Sequence, residues 1–223
     1  MFERLLKIIT KEQLDKLSKI SVLLVGVGGV GGYTLEALIR MGIKNITIID
    51  NDIVDLTNLN RQIITNTNNI GNNKVDEAIK RAKSINPDIN IKGLKLFLTK
   101  DNIKDINIKE YDYIIDACDT ITTKVELIKY AKKENIKIIT CLGTGNRLDP
   151  TKVVITDIYK TNYDPLAKIM RKLLKDNNIK KQDVVYSTEI PIKTSDRTPG
   201  SSSLVPSTAG IYLAYYIIKD SIL

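Results

Sequence analysis

The chain has 223 residues, of which 43% are hydrophobic and 27% charged, with a formal net charge of +8 and a mean hydropathy of −0.10, the proportions of an ordinary globular fold with a sizeable core. No apolar run approaches the ~20 residues of a bilayer-spanning helix, and Glu3 and Arg4 interrupt the first apolar residues, so neither a membrane segment nor a signal peptide is expected. The complete absence of histidine removes imidazole as base, metal ligand or pH switch, and with it serine–histidine hydrolases and most zinc hydrolases.

From about residue 20 onward, strand and helix signals alternate in the manner of a mostly parallel sheet with helices on both faces. Residues 21–25 (SVLLV) form a wholly apolar run ending in glycines, as for a strand buried on both sides. Val30, Tyr33, Ala37, Leu38 and Met41 then recur at helical spacing, and Gly42 supplies the stop. A second strand is predicted at 45–49 (NITII). Val75, Ala78, Ile79 and Ala82 mark another amphipathic helix, ended by Asn86 and Pro87. Alternation through Leu94, Leu96 and Leu98 predicts a third strand, 113–117 (YIIDA) a fourth, 124–134 a helix and 136–141 a fifth strand. After Pro150 come a strand at 153–157, a helix with Asp164 as N-cap and Pro165 in its first turn running to Lys175, and a short strand at 184–186. Residues 193–207, rich in Ser, Thr, Pro and Gly and carrying Asp196 and Arg197, predict a mobile loop, and 207–222 a final apolar helix. With no repeat, linker or low-complexity tract, residues 1–223 read as a single α/β domain, Rossmann-like, with an elaborated C-terminal third.

The first chemical signal is the run Gly26-Val27-Gly28-Gly29-Val30-Gly31-Gly32 between the first strand and its helix. Glycines here allow a tight turn and let phosphate oxygens approach main-chain N–H groups at a positive helix N-terminus. Asp50 closes the next strand about 20 residues on, where a carboxylate accepts hydrogen bonds from ribose hydroxyls. This combination predicts a bound nucleotide, and by itself it suits NAD or FAD as readily as ATP. The segment that follows favours a triphosphate. Asp52, Asn58, Asn60, Arg61, Gln62 and Lys74 lie between the second strand and the next helix, and Arg61 and Lys74 suit neutralisation of phosphate charge. Asp119 closes Asp116-Ala117-Cys118-Asp119 at the end of the fourth strand, and Mg²⁺ prefers one or two carboxylates plus phosphate oxygens. Each residue has an ordinary alternative: Lys74 solvated at a helix start, Asp119 capping a helix, Asn58 and Asn60 forming turns. Their joint arrangement at strand ends favours ATP with Mg²⁺.

These motifs resemble the ubiquitin-activating-enzyme-like superfamily of adenylating enzymes: the GxGGxG loop, Asp50 with Asp52, TNLNRQ (57–62), Gly71 with Lys74, INP (85–87) and DACD (116–119). The later segments GTGNRLDPT (143–151) and VVYSTE (184–189) resemble its tRNA threonylcarbamoyladenosine dehydratase branch, and the similarity runs over nearly the whole chain. The resemblance implies that ATP activates the threonyl carboxylate of a modified adenosine in tRNA as a mixed anhydride with AMP, which then collapses by attack from within the same side chain. It also implies that the glycines Gly26, Gly28, Gly29 and Gly31 with Asp50, Asp52, Asn58, Gln62 and Lys74 bind ATP, that Arg61 contacts phosphates, that Asp119 holds the metal, and that the protein is a homodimer. Arg61 and Asp119 are then the candidate catalytic residues.

The departures are also informative. Sulfur-carrier-activating relatives commonly carry paired CxxC motifs or a crossover cysteine, whereas this chain has only Cys118 and Cys141, both in apolar strand-like stretches and without CxxC spacing. A reduced cytoplasmic chain with structural cysteines is expected. Gly32 stands where relatives often have serine. The alternative substrate, the C-terminal carboxylate of a small sulfur-carrier protein, loses support from the missing cysteines. Lys168, Arg171, Lys172, Lys175, Lys180 and Lys181 form a basic cluster on and after the Asp164 helix, which reads either as a tRNA phosphate footprint or as a solvated face above an ordinary apolar stripe.

Overall fold

In a computed structural model, which describes residues 1–195 and 198–223, the apolar run at 21–25 becomes the strand around which a seven-stranded sheet is built. The strands are β1 (Ser21–Val25), β2 (Asn45–Asp50), β3 (Asn90–Lys95), β4 (Tyr113–Asp116), β5 (Lys137–Cys141), β6 (Val153–Asp157) and β7 (Asp183–Ser187), in the order β3-β2-β1-β4-β5-β7-β6. All pairings are parallel except that of β6 with β7 at one edge. The helices are α1 (Lys11–Lys19), α2 (Gly31–Arg40), α3 (Lys74–Ile85), α4 (Ile121–Lys133), α5 (Pro165–Asp176) and α6 (Leu204–Ile222).

Two cores sandwich the sheet. Successive side chains of a strand point to opposite faces, so Val22 and Leu24 of β1 join α1, α2, α3 and α6, while Leu23 and Val25 join α4 and α5. A helix on each side explains why β1 has no polar residue between Val22 and Val25.

Most predicted elements are present within a residue or three of their expected ends. Four differ for identifiable reasons. The third strand is Asn90–Lys95, and Leu96 and Leu98 continue past its end; Leu98 packs in the α4 core, which reproduces strand-like alternation without a ladder partner. The N-terminal helix α1 was not anticipated because only Leu17 of its nine residues is buried, although the Thr10–Gln13 capping box was legible. Cys118 lies in the turn after β4 rather than within a strand. The final helix starts at Leu204 and accommodates Pro206 in its first turn, shortening the predicted loop; Asp196 and Arg197 of that loop lie outside the described residues.

One interaction ties β4, β5 and α4 together. Lys124 on α4 and Asp116 at the end of β4 are both fully buried, and the ammonium donates to Asp116 Oδ1 at 3.0 Å, Oδ2 at 3.1 Å and the Cys141 carbonyl at 2.8 Å. Burial opposes the charge on Lys124, but the Asp116 carboxylate outweighs it and the ammonium pKa is raised above 10.5. A raised folded-state pKa makes the stabilisation complete below the unfolded value and removes it only as pH rises through the folded one, so it persists throughout the neutral range. Removing one partner strands the other charge in the core. Lys124→Met is expected to cost about 3–5 kcal/mol, a fall in Tm on the order of 10 °C in thermal denaturation, with Asp116→Leu added on top restoring much of the loss. A wild-type Tm in the single variant contradicts this account of the pair.

Candidate active site

At the carboxyl ends of β1 and β4 the strand order reverses, and in such sheets ligands occupy the crevice at that point. A cavity of about 500 Å³ opens there, lined by the turn after β1, the end of β2 and the turn after β4, within the roughly 300–1,000 Å³ of small-molecule sites.

The glycine loop forms its floor. Gly26 has φ +90°, and a Cβ there would sit 2.8 Å from the Ala117 carbonyl; a Cβ at Gly31 would meet the Gly26 carbonyl at 1.8 Å. Both positions therefore require glycine to let α2 close onto the loop. The N-cap of α2, Val30, makes no side-chain cap; Gly32 N–H donates to the Gly28 carbonyl at 3.0 Å, and the positive end of the helix remains suited to an anion. Gly28 and Gly29 line the cavity beside this helix start. Asp50 is held from two sides: Val27 N–H donates to one carboxylate oxygen at 2.8 Å and Asp52 N–H to the other at 2.9 Å. The loop and the carboxylate predicted to meet the ribose are thus one rigid unit.

The wall opposite comes from residues 52–74. Arg61 lies over Gly29, whose Cβ would be 3.4 Å from the Arg61 Cγ. Its guanidinium donates to the Thr57 carbonyl at 2.7 Å and to Asn60 Oδ1 at 3.0 Å, and among the described residues it pairs with no carboxylate. Lys74, the first residue of α3, is buried, and its ammonium pairs with Asp52 at 2.7 Å. Asp52 is therefore the counter-ion of Lys74 and lines the cavity beside it. Asn58 is buried and its Oδ1 accepts from the Asp55 N–H, closing a capping box, so it both forms the turn and faces the cavity. Gln62 is buried with Oε1 unpartnered, an acceptor in the cavity wall for a ligand donor.

Asp119 is exposed at the mouth; it accepts from Thr120 Oγ1 at 3.4 Å. Thr120, not Asp119, is the N-cap of α4, so the capping alternative does not hold. No cluster of three or more acidic, Cys or His side chains that suits a metal exists among the described residues. Asp119 is thus a single exposed carboxylate, the kind of ligand that Mg²⁺ takes alongside phosphate oxygens and water.

Sequence reasoning missed the contribution of the C-terminal third. Thr144, Ser201 and Pro206 line the same cavity, as do Leu96, Phe97 and Leu98. The GTGN turn carrying Thr144 is anchored by buried Arg147, which donates to the carbonyls of Gly143 and Glu189 and lies 3.5 Å from the Asp164 carboxylate. Glu189 in turn accepts from the N–H groups of Leu148 and Asp149. The GTGNRLDP motif was the visible signal, but a motif does not say which strand end it reaches.

The two cysteines are ill-suited to nucleophilic work. Burial and then the Asp116 carboxylate push the Cys118 thiol far up, and burial pushes Cys141 up to about 12, so neither carries appreciable thiolate near neutrality. On α5, Lys168, Lys172 and Lys175 are exposed, as are Lys180 and Lys181 beyond it. Arg171 also has a structural engagement: its guanidinium donates through Nη1 to the Thr161 carbonyl at 3.0 Å and to its hydroxyl, tying α5 to the β6–α5 connection.

The site's geometry has close counterparts. A tRNA threonylcarbamoyladenosine dehydratase of Bacillus subtilis is 37% identical over 98% of this chain and 93% of its own length, and one of Haemophilus influenzae is 37% identical over 88% of this chain and 78% of its own. The crystal structure of the Escherichia coli tRNA N6-threonylcarbamoyladenosine dehydratase in complex with ATP superposes with a TM-score of 0.93 at 33% identity, covering 99% of this chain and 93% of that one. The ThiF family pattern matches residues 2–192. With that match spanning most of the chain, and with the glycine loop, Asp50 and the 57–62 segment gathered at one cavity, the protein belongs to the ThiF family.

Proposed function

We propose that this protein is an ATP-dependent tRNA threonylcarbamoyladenosine dehydratase, which adenylates the threonyl carboxylate and lets it cyclise with release of AMP and pyrophosphate. The observation that carries this reading is the convergence of an uncapped helix N-terminus, unpaired Arg61 and buried Lys74 on one strand-end cavity. Lys74 shares its charge with Asp52, whereas Arg61 pairs with no carboxylate among the described residues and is the cation available to a further phosphate.

The nucleotide phosphates rest on the glycine loop and α2, with the ribose at Asp50. Arg61, whose acceptors are neutral, offers its Nε and Nη2 donors to the phosphates at little electrostatic cost, and Lys74, held in place by Asp52, faces them from the start of α3. A substrate carboxylate oxygen bonds to the α-phosphorus as pyrophosphate departs. The acyl carbon is next attacked from within the same side chain, AMP leaves with that oxygen, and the net change in the nucleoside is loss of one water. Such chemistry relies on positioning and charge stabilisation more than on proton transfer, so a chain without histidine is adequate. Mg²⁺ held at Asp119 would neutralise charge on the phosphates. High thiol pKa values disfavour a thioester route through either cysteine.

We assign the tRNA footprint to Lys168, Lys172 and Lys175, with Arg171 supporting the fold beneath them. Residues 1–223 act as one ThiF-like unit, a homodimer working in the cytoplasm. The homodimer follows from the family resemblance and the compartment from two unpaired cysteines; no helix among the described residues is long and apolar enough to cross a membrane.

Mass spectrometry of nucleosides from threonylcarbamoyladenosine-containing tRNA, incubated with protein and ATP, is expected to show loss of one water in step with AMP and pyrophosphate. ADP as the main product contradicts adenylation. Arg61→Ala and Asp119→Ala are each expected to lower turnover by roughly two to three powers of ten, while folding as the wild type does. Charge reversal at Lys168 and Lys172 is expected to weaken tRNA binding similarly across sequences and to lower the salt slope by about one per lost contact, leaving ATP binding unchanged. Undiminished tRNA binding in that variant removes α5 from the interface.

A further inference from the structure

Asn60 is exposed, yet both ends of its side-chain amide are used within the protein, and each end touches a different wall of the cavity. Its Oδ1 accepts from the Arg61 guanidinium at 3.0 Å. Its Nδ2 donates to the Ser201 carbonyl at 2.8 Å, reaching a segment 141 residues away in the chain. An exposed side chain has water available for both groups, so folding alone does not require this double engagement.

The segment it reaches, residues 199–203, is also held at Gly200 by Asn146 in the GTGN turn. Asn146 N–H donates to the Gly200 carbonyl at 2.8 Å, and Gly200 N–H donates to Asn146 Oδ1 at 2.6 Å. Asn146 has φ +57°, a conformation that asparagine tolerates better than most residues. Ser202 adds a contact to the Arg147 carbonyl at 3.3 Å. Gly145 has no room for a side chain, because a Cβ there would lie 2.9 Å from Pro199. Residues 199–203 thus form a strap between two asparagines, and Ser201 at its centre lines the cavity with Arg61 and Thr144.

We propose that Asn60 is a positioning residue that couples Arg61 to the 199–203 strap. The proposal rests on the ATP reading of the cavity and not on the identity of the second substrate. Arg61 at rest is held by two neutral acceptors, the Thr57 carbonyl and Asn60 Oδ1. Both bonds use Nη1, so phosphates met by Nε and Nη2 leave the Asn60 contact in place, and the guanidinium, the Asn60 amide and the Ser201 carbonyl form one connected chain. Nucleotide arrival is thereby transmitted to the strap beside Thr144, and a strap in its seated position holds Arg61 in register for pyrophosphate departure. The coupling acts through Arg61; Asn60 itself touches no reacting atom.

The test compares wild type, Asn60→Ala, Arg61→Ala and the double variant. Because Asn60 is exposed, its truncation leaves no core cavity, and Asn60→Ser provides a second variant that retains a short polar side chain. Hydrogen exchange is followed with and without a non-hydrolysable ATP analogue. In the wild type the analogue is expected to slow exchange both in residues 26–32 and in residues 199–203; in Asn60→Ala the first effect remains and the second is lost. AMP formation in Asn60→Ala is expected to fall roughly ten- to a hundredfold in kcat with a smaller change in KM for ATP, and adding Asn60→Ala to Arg61→Ala is expected to change little further, the non-additivity of residues acting as a unit. Retention of nucleotide-dependent protection at 199–203 in Asn60→Ala, or additive losses in the double variant, overturns the coupling. No protection at residues 26–32 in the wild type overturns the nucleotide reading and the coupling together.

Discussion

The buried Lys124–Asp116 pair is the constraint from which the arrangement of the cavity follows. Asp116 ends β4 at the point where the chain must turn away from the sheet, and its carboxylate also accepts from the N–H and the thiol of Cys118. The same ammonium reaches the last carbonyl of β5 at Cys141. One charge pair therefore fixes the turn after β4, the start of α4 and the end of β5. Asp119 sits on that turn, and the GTGN segment leaves from β5 two residues beyond Cys141. A neutral pair of similar shape would recover much of the packing, but it would not bind the turn and two strand ends to a single point.

Around this anchor the cavity sorts its charges by how strongly each is engaged. Asp50 is held by two main-chain donors and Lys74 by Asp52, so both keep their places whether or not a nucleotide is present. Arg61 rests on neutral oxygens, and Asp119 is exposed at the mouth with only a long hydroxyl contact. The firmly held groups are those assigned to ribose and anchoring phosphate, which bind before any bond changes. The loosely held groups are those assigned to charge that develops as pyrophosphate leaves, where freedom to meet the phosphates has most effect.

The C-terminal third makes the site more than a nucleotide pocket. Arg147, Glu189 and Asn146 bind the β5–β6 connection, the exit of β7 and the 199–203 segment into one framework. That framework carries Thr144 and Ser201 to the same strand ends as the glycine loop. Its hydrogen bonds run almost wholly between side chains and main chain, so they specify where irregular backbone goes without demanding a particular apolar core.

The sequence by itself determined the strand–helix alternation, the glycine loop and the acid after β2, because these depend on local rules: apolar periodicity, turn stereochemistry and helix-end chemistry act over a few residues. It also showed Arg61, Lys74 and Asp119 as candidates, since charged residues at strand ends stand out against apolar strands. Only the tertiary structure decided which of them were free. Lys74 and Asp52 pair across 22 residues, Arg171 turns back onto Thr161, and Asn60 meets Ser201; none of these partners follows from spacing. The third strand was misplaced for the same reason, because Leu98 is buried by α4 rather than by a neighbouring strand. Local pattern reports what a residue prefers, whereas a charge or an amide takes its role from whichever group the fold brings within about 3 Å, and that group is set by chain segments far away in sequence.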